Sequence, residues 1–227
     1  MTGLNSGSVP VAINAAGYVP IARVPTNDPK GTHVEIIVPA DSPLKSAGDL
    51  KQRELTLTEF NSNSGFKAPL VLLRSDYGIE PERDYLIRTS GSHEQSILGV
   101  AKKEYQAAAV ASDMIDRAVS RGEIDRKSLR SIYQSESFPS AALGYAHNLK
   151  PELAEKIKEV ILTFSIQGTP LAAELGVDAE HFLPVSYKND WALIRRIDDA
   201  SGKEHVIKDE TASTQPSEEP ATKSAEQ

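Results

Sequence analysis

Three short clusters in this chain bring hydroxyl, amide, imidazole and carboxylate groups together at spacings suited to holding an anion. The first is Ser62-Asn63-Ser64, the second Ser90-Gly91-Ser92-His93, and the third Ala111-Ser112-Asp113. A helix opening out of Asn61–Ser64 leaves its first backbone N–H groups without internal partners, at the positive end of the helix dipole. The side chains of Ser62, Asn63 and Ser64 add donors there. His93 adds another, with charge if protonated. Asp113, when ionised, only accepts; it suits an oxyanion that still carries a proton and rejects a fully ionised one such as sulfate.

Other chemistries fit less well. Each cluster alone reads as a helix N-cap, contributing about 1 kcal/mol with no ligand involved. A nucleophilic triad can be drawn from Ser64, His93 and Asp113 for a hydrolase or transferase, yet no G-x-S-x-G elbow surrounds Ser64. The five histidines lack metal-ligand spacing, cysteine is absent, and no G-x-x-x-x-G-K-[ST] loop occurs. No metal and no cofactor are expected.

The elements that must carry these clusters alternate. Val34–Val38, Glu54–Thr58, Asp84–Arg88, Ala107–Ala111 and Ser128–Gln134 read as strands. Between them Ser46–Leu50 reads as a helical turn, and Ser64–Tyr77, His93–Lys102 and Asp113–Val119 read as helices, with Pro69 in the first turn of the longest. This order predicts an α/β fold with mainly parallel sheets flanked by helices. Ligands of such sheets sit beyond the carboxyl ends of the strands. All three clusters fall at that end, which favours one anion site over three unrelated caps. Further helices are expected at Pro151–Phe164, with Leu153, Ile157, Val160, Ile161 and Phe164 on one face, at Gln167–Leu175, and at Ser186–Ile197, burying Trp191 and Ile194.

Composition narrows the partners. A net charge of −7 over 227 residues argues against a general nucleic-acid binder. No apolar run approaches the roughly 20 residues of a membrane span. No basic and apolar leader opens the chain, so no export signal is read there. Asp209–Gln227 holds five acids and no aromatic or branched aliphatic residue, the composition of a disordered tail.

The runs Ser62-Asn63-Ser64-Gly65-Phe66, Ser90-Gly91-Ser92-His93 and Ala107-Ala108-Ala109-Val110-Ala111-Ser112-Asp113 resemble those of phosphate, phosphite and phosphonate substrate-binding proteins of ABC importers. The resemblance extends from about Gly3 to about Ile197. It implies a two-lobed fold of the type 2 periplasmic-binding-protein class, an extracytoplasmic location, and a small phosphorus oxyanion as ligand. It also implies the permease and ATPase of an importer as partners, and no enzymatic role. In that family S-T-S-G-[FY] cradles the oxyanion, G-[GS]-H supplies a histidine, and a carboxylate after the A-A-A-V strand receives a ligand proton. Those roles fall on Ser62, Asn63 (in place of threonine) and Ser64, on His93, and on Asp113.

Three departures follow. The returning stretch Ser137–Ala142 includes Ser140 but lacks the acid that holds an amino group in many members, which favours phosphate, phosphite or a simple phosphonate. The strand entering the second lobe has Thr32-His33 where an aromatic is frequent, with His33 as its substitute. Gly3–Pro10 resembles a segment inside the first lobe, so an incomplete first lobe is expected, and a remnant without ligand is a further alternative. Ser6 and Ser8 either face the ligand or cap a Val9–Ala15 helix. The expected division is residues 1–39 as partial lobe one and hinge, 40–140 as lobe two, 141–203 as the return, and 204–227 as the tail.

Overall fold

A computed structural model describes residues 1–60, 62–175 and 178–200. Asn61 and the acidic tail expected at Asp209–Gln227 lie outside the described residues. Two sheets form the frame. The first has the order β1 (Thr2–Asn5), β8 (Ala141–Ala146), β2 (Tyr18–Arg23), β9 (Leu183–Pro184), with every pairing antiparallel. The second has the order β5 (Leu86–Thr89), β4 (Glu54–Leu57), β6 (Ala108–Ala111), β3 (Val34–Pro39), β7 (Leu129–Gln134).

The expected parallel pairing holds for β5, β4 and β6, whereas β3 runs antiparallel to both β6 and β7. The cause is the path of the chain. β3 enters this sheet from the first one and β7 returns toward it, and neither is followed by a crossover helix of the βαβ kind. β3 is fully inside the second sheet, although a boundary at residue 39 assigns it to the first unit and hinge. The two crossings, 24–33 and 135–140, meet at an antiparallel bridge between Thr32 and Phe138. There Thr32 N–H donates to Phe138 O at 2.8 Å and Phe138 N–H donates to Thr32 O at 2.7 Å.

Helices α1 (Ser8–Ala16), α5 (Pro151–Thr163), α6 (Pro170–Leu175), α7 (Tyr187–Asp190) and α8 (192–200) accompany the first sheet. Helices α2 (Ala68–Tyr77), α3 (His93–Ala101) and α4 (Ser112–Ser120) accompany the second. Two expected helices are divided. The run Ser64–Tyr77 begins as a π-helical turn, Asn63–Lys67, in which Lys67 N–H reaches Ser62 O, and only then becomes α2. Pro69 has no N–H to continue the wider ladder, so the α-helix restarts around it.

Likewise Ser186–Ile197 breaks at Trp191. Its indole is fully buried and donates from Nε1 to Ser6 O at 3.1 Å. The expected apolar face of α5 is only partly used: Ile157 and Ile161 rest against Ile21 and Phe182, while Leu153, Val160 and Phe164 are exposed. The strand contact is narrower than the apolar stripe.

The core is continuous across the bridge. Ala68 and Leu72 of α2 join Val9, Tyr18, Val34, Ala142, Trp191, Ile194 and Ile197 in one cluster, while Leu73 on the other side of α2 joins Ile36, Leu55, Leu57 and Ile132. We expect Trp191→Ala to destabilise the protein by about 3–5 kcal/mol, read from denaturant midpoints. Trp191→Phe should lose markedly less, since it keeps most of the buried ring and forfeits the hydrogen bond to Ser6.

Candidate functional site

Because β4, β5 and β6 are parallel, the segments that follow them leave from one end of the sheet. The π-helical turn at Asn63, the start of α3 at His93 and the start of α4 at Ser112 therefore face a common space. From the other sheet, β1 delivers the start of α1 to the same space. A cleft of about 830 Å³ lies there. Its walls include Ser62, Asn63, Ser64, His93 and Asp113 on one side and Ser6, Ser8 and Ser140 on the other. His33 is not among the lining residues.

That is a correction with a simple cause. Neighbouring residues on an extended segment point to opposite faces, so Thr32 takes the cleft side. His33 instead meets Glu35, with Nε2 at 3.1 Å from Oε1. Burial pushes the Glu35 carboxyl up, but hydrogen bonds from His33 and Ser131 and the charge of Arg126 outweigh it and hold it low. The same bond to Glu35 raises the pKa of His33.

The cradle is tightly made. Ser62 Oγ accepts from Gly65 N–H at 3.1 Å, so Ser62 does cap the turn, with its hydroxyl hydrogen left to donate. A Cβ on Gly65 would lie 2.2 Å from Thr58 Oγ1 and 2.9 Å from His93 Cε1, so the turn can approach the strand and the imidazole only as glycine. Asn63 reaches the opposite wall: a Cβ on Gly7 would sit 2.5 Å from Asn63 Nδ2. Asn63 Nδ2 and Ser6 Oγ, one from each wall, are buried without a hydrogen-bond partner among the described residues. Such groups contribute unfavourably unless something pairs with them. Ser8 N–H is capped by Asn5 Oδ1 at 2.9 Å, and Ser6 N–H donates to Ser140 O at 3.0 Å, which ties that wall together.

His93 has its protons assigned by its neighbours. Ala111 N–H donates to Nδ1 at 3.3 Å, so Nδ1 carries a lone pair and the proton resides on Nε2, which lies 3.3 Å from Ser64 Oγ. Burial lowers the pKa of the ring, against the pull of Asp113 and Glu94. His93 is thus a neutral donor at neutral pH. A serine hydrolase relay needs the reverse at Nδ1, an N–H donated to a carboxylate. Asp113 has other partners: Oδ1 accepts from Thr32 Oγ1 at 2.7 Å, and Oδ2 lies 3.6 Å from Arg117 Nη2.

The polar and charged lining residues that were not anticipated are Asn5, Thr32, Glu59, Lys67 and Arg117. Arg117 stands four residues after Asp113 on the same helix face, a spacing that was readable. Lys67 follows Phe66 directly. Glu59 carried no signal, and it gives the cleft an acid that Ser137–Ala142 lacks.

The family described as "ABC transporter, phosphonate, periplasmic substrate-binding protein" matches residues 1–191. The phosphonates-binding periplasmic protein of Escherichia coli (strain K12) is 25% identical over 164 residues, which is 70% of this chain and 48% of that protein. The chain thus spans about half the length of the curated relative it matches. Among solved structures, PhnD1 from Prochlorococcus marinus (MIT 9301) in complex with methylphosphonate superposes with a TM-score of 0.68 at 18% identity, covering 88% of this chain and 78% of that one. A binding protein component of an ABC phosphonate transporter from Pseudomonas aeruginosa gives 0.63 at 17% identity, covering 92% and 80%. Both likenesses establish the two-lobed α/β fold.

The two histidines should pull stability in opposite directions with pH. The His93 pKa is lowered from 6.5, so its contribution is complete above 6.5 and declines as the pH falls below it. The His33 pKa is raised from 6.5, so its contribution is complete below 6.5 and declines as the pH rises through the raised value. Melting temperatures between pH 5 and 8.5 test this. His93→Gln should flatten the acid limb and His33→Gln the alkaline limb, and an unaltered acid limb in His93→Gln would refute the buried neutral ring.

Proposed function

The chain belongs to the phosphonate family of ABC-transporter periplasmic substrate-binding proteins, and from that premise we propose that it captures a small phosphorus oxyanion between its two sheets. The observation carrying this reading is the convergence of Ser62, Asn63, Ser64, His93 and Asp113 from the second sheet with Ser6, Ser8 and Ser140 from the first on the walls of one cleft. Ser64, Asn63 and the open N–H groups of the π-helical turn donate from the second sheet. His93 donates through Nε2–H, and Asp113 accepts the proton that a phosphonate or phosphate monoanion retains. Ser6, Ser8 and Ser140 close over the remaining oxygens.

The ligand class is phosphate, phosphite or a simple phosphonate, methylphosphonate being the ligand of the Prochlorococcus marinus protein. The partners are then the permease and ATPase of an importer, and the place of action is outside the cytoplasmic membrane. Among the described residues no helix is long and apolar enough to cross a membrane. The role is binding without turnover, because the His93 tautomer and the partners of Asp113 oppose a Ser64 nucleophile.

Calorimetric titration of the full chain with phosphate, phosphite and methylphosphonate should give saturable heat with at least one of them. His93→Ala and Asp113→Ala each remove a hydrogen bond worth about 1.5–3 kcal/mol, so affinity should fall about 10- to 100-fold. Unchanged affinity in both variants would sink the site assignment. Hydrolysis of an activated ester, lost in Ser64→Ala, would replace the binding reading with a catalytic one.

A further inference from the structure

Thr32 does two things at once. Its backbone forms the bridge where the two crossings between the sheets meet, and its hydroxyl is the donor to Asp113. The side chain is 2% exposed, and Ser112 beside it 8%. The hydrogen-bond directions around them can be followed atom by atom. His33 N–H donates to Ser112 Oγ at 3.1 Å, so the Ser112 hydroxyl hydrogen is free to point elsewhere. Thr32 Oγ1 lies 3.2 Å away and accepts it. Asp113 N–H also approaches Thr32 Oγ1, at 3.4 Å. The Thr32 hydroxyl has one hydrogen, and the remaining partner, Asp113 Oδ1 at 2.7 Å, takes it. A one-way chain therefore runs from the backbone of residue 33 through Ser112 and Thr32 to the carboxylate, each link strengthening the next.

An ionised carboxylate has about four acceptor positions on two oxygens. Thr32 holds Oδ1. Arg117 Nη2, 3.6 Å from Oδ2, is an ion-pair partner beyond hydrogen-bond length. Oδ2 is left as the acceptor that meets whatever occupies the cleft. Freed from Thr32, the carboxyl could turn toward Arg117 and remove its lone pairs from the path of a ligand oxygen.

We infer that Thr32 is a positioning residue that sets ligand specificity, by fixing Asp113 so that an oxyanion with an O–H is accepted and one with only bare oxygens is refused. This rests on the phosphorus-oxyanion reading and adds to it a residue and a mechanism for discrimination. Without the hydroxyl, a bare oxygen meets a movable carboxyl and the penalty falls.

The test compares methylphosphonate with methanesulfonate, which has the same shape and no O–H as the anion, by calorimetry on the full chain. The wild type should prefer methylphosphonate. Thr32→Val should reduce that preference about tenfold or more, and Thr32→Ser should restore it. Ser112→Ala, which interrupts the chain one link earlier, should give a smaller loss, and it serves if Thr32→Val fails to fold. A Thr32→Val or Ser112→Ala protein that keeps the wild-type ratio, even with weaker binding of both anions, overturns the role of Thr32 alone. A folded wild type that binds neither anion nor phosphate nor phosphite overturns the binding reading itself, and this inference with it.

Discussion

Parallel pairing of β4 with β5 on one side and β6 on the other is the constraint on which the site depends. Parallel neighbours place the segments that follow them at one end. Three segments rich in serine, asparagine and histidine consequently face the same space with their helix starts toward it. Each helix start carries partial positive charge from unpaired N–H groups. Lys67 and Arg117 add full charges at the same walls, and Asp113 and Glu59 balance them one for one. In a chain of net charge −7 the cleft lining thus carries no net formal charge, which leaves the helix starts as its positive contribution.

The opposing wall is fixed by different means. Trp191 locks the turn after β1 through Ser6 O, and the helix it interrupts folds back over α2. Gly7 permits the closest approach between the walls, since its missing side chain is the space that the Asn63 amide fills. Asparagine at 63 is longer than the threonine usual there, and the glycine opposite is its steric counterpart. The two positions read as a matched pair rather than as independent choices.

The alternation of strands and helices from Val34 to Gln134 was legible because the strand and helix periods there are distinct, and Gly78 and Ser92 mark a helix end and a helix start. The convergence of Ser64, His93 and Asp113 was legible for the same reason, since strand order alone puts them at one end. Less readable was whatever depended on partners distant in sequence. The antiparallel course of β3 and β7 follows from where the chain enters and leaves the sheet. The exclusion of His33 follows from Glu35, two residues away but buried by Arg126 and Ser131 from another part of the chain. The break at Trp191 follows from a carbonyl 185 residues earlier. The tautomer of His93 depends on Ala111 N–H, a contact that no local pattern announces.

α2 carries a consequence for how the molecule comes apart. Two sheets and two crossings suggest two bodies free to turn about a hinge, each with its own core. Yet Ala68 and Leu72 share a cluster with the first sheet while Leu73 belongs to the core of the second. Opening the first-sheet core strips one side of α2, and opening the second strips the other. Neither half retains a complete core alone, so the halves should melt in one cooperative transition. The chain is double in topology and single in stability, and the helix that joins the two is the one entered through the π-helical turn at the cleft wall.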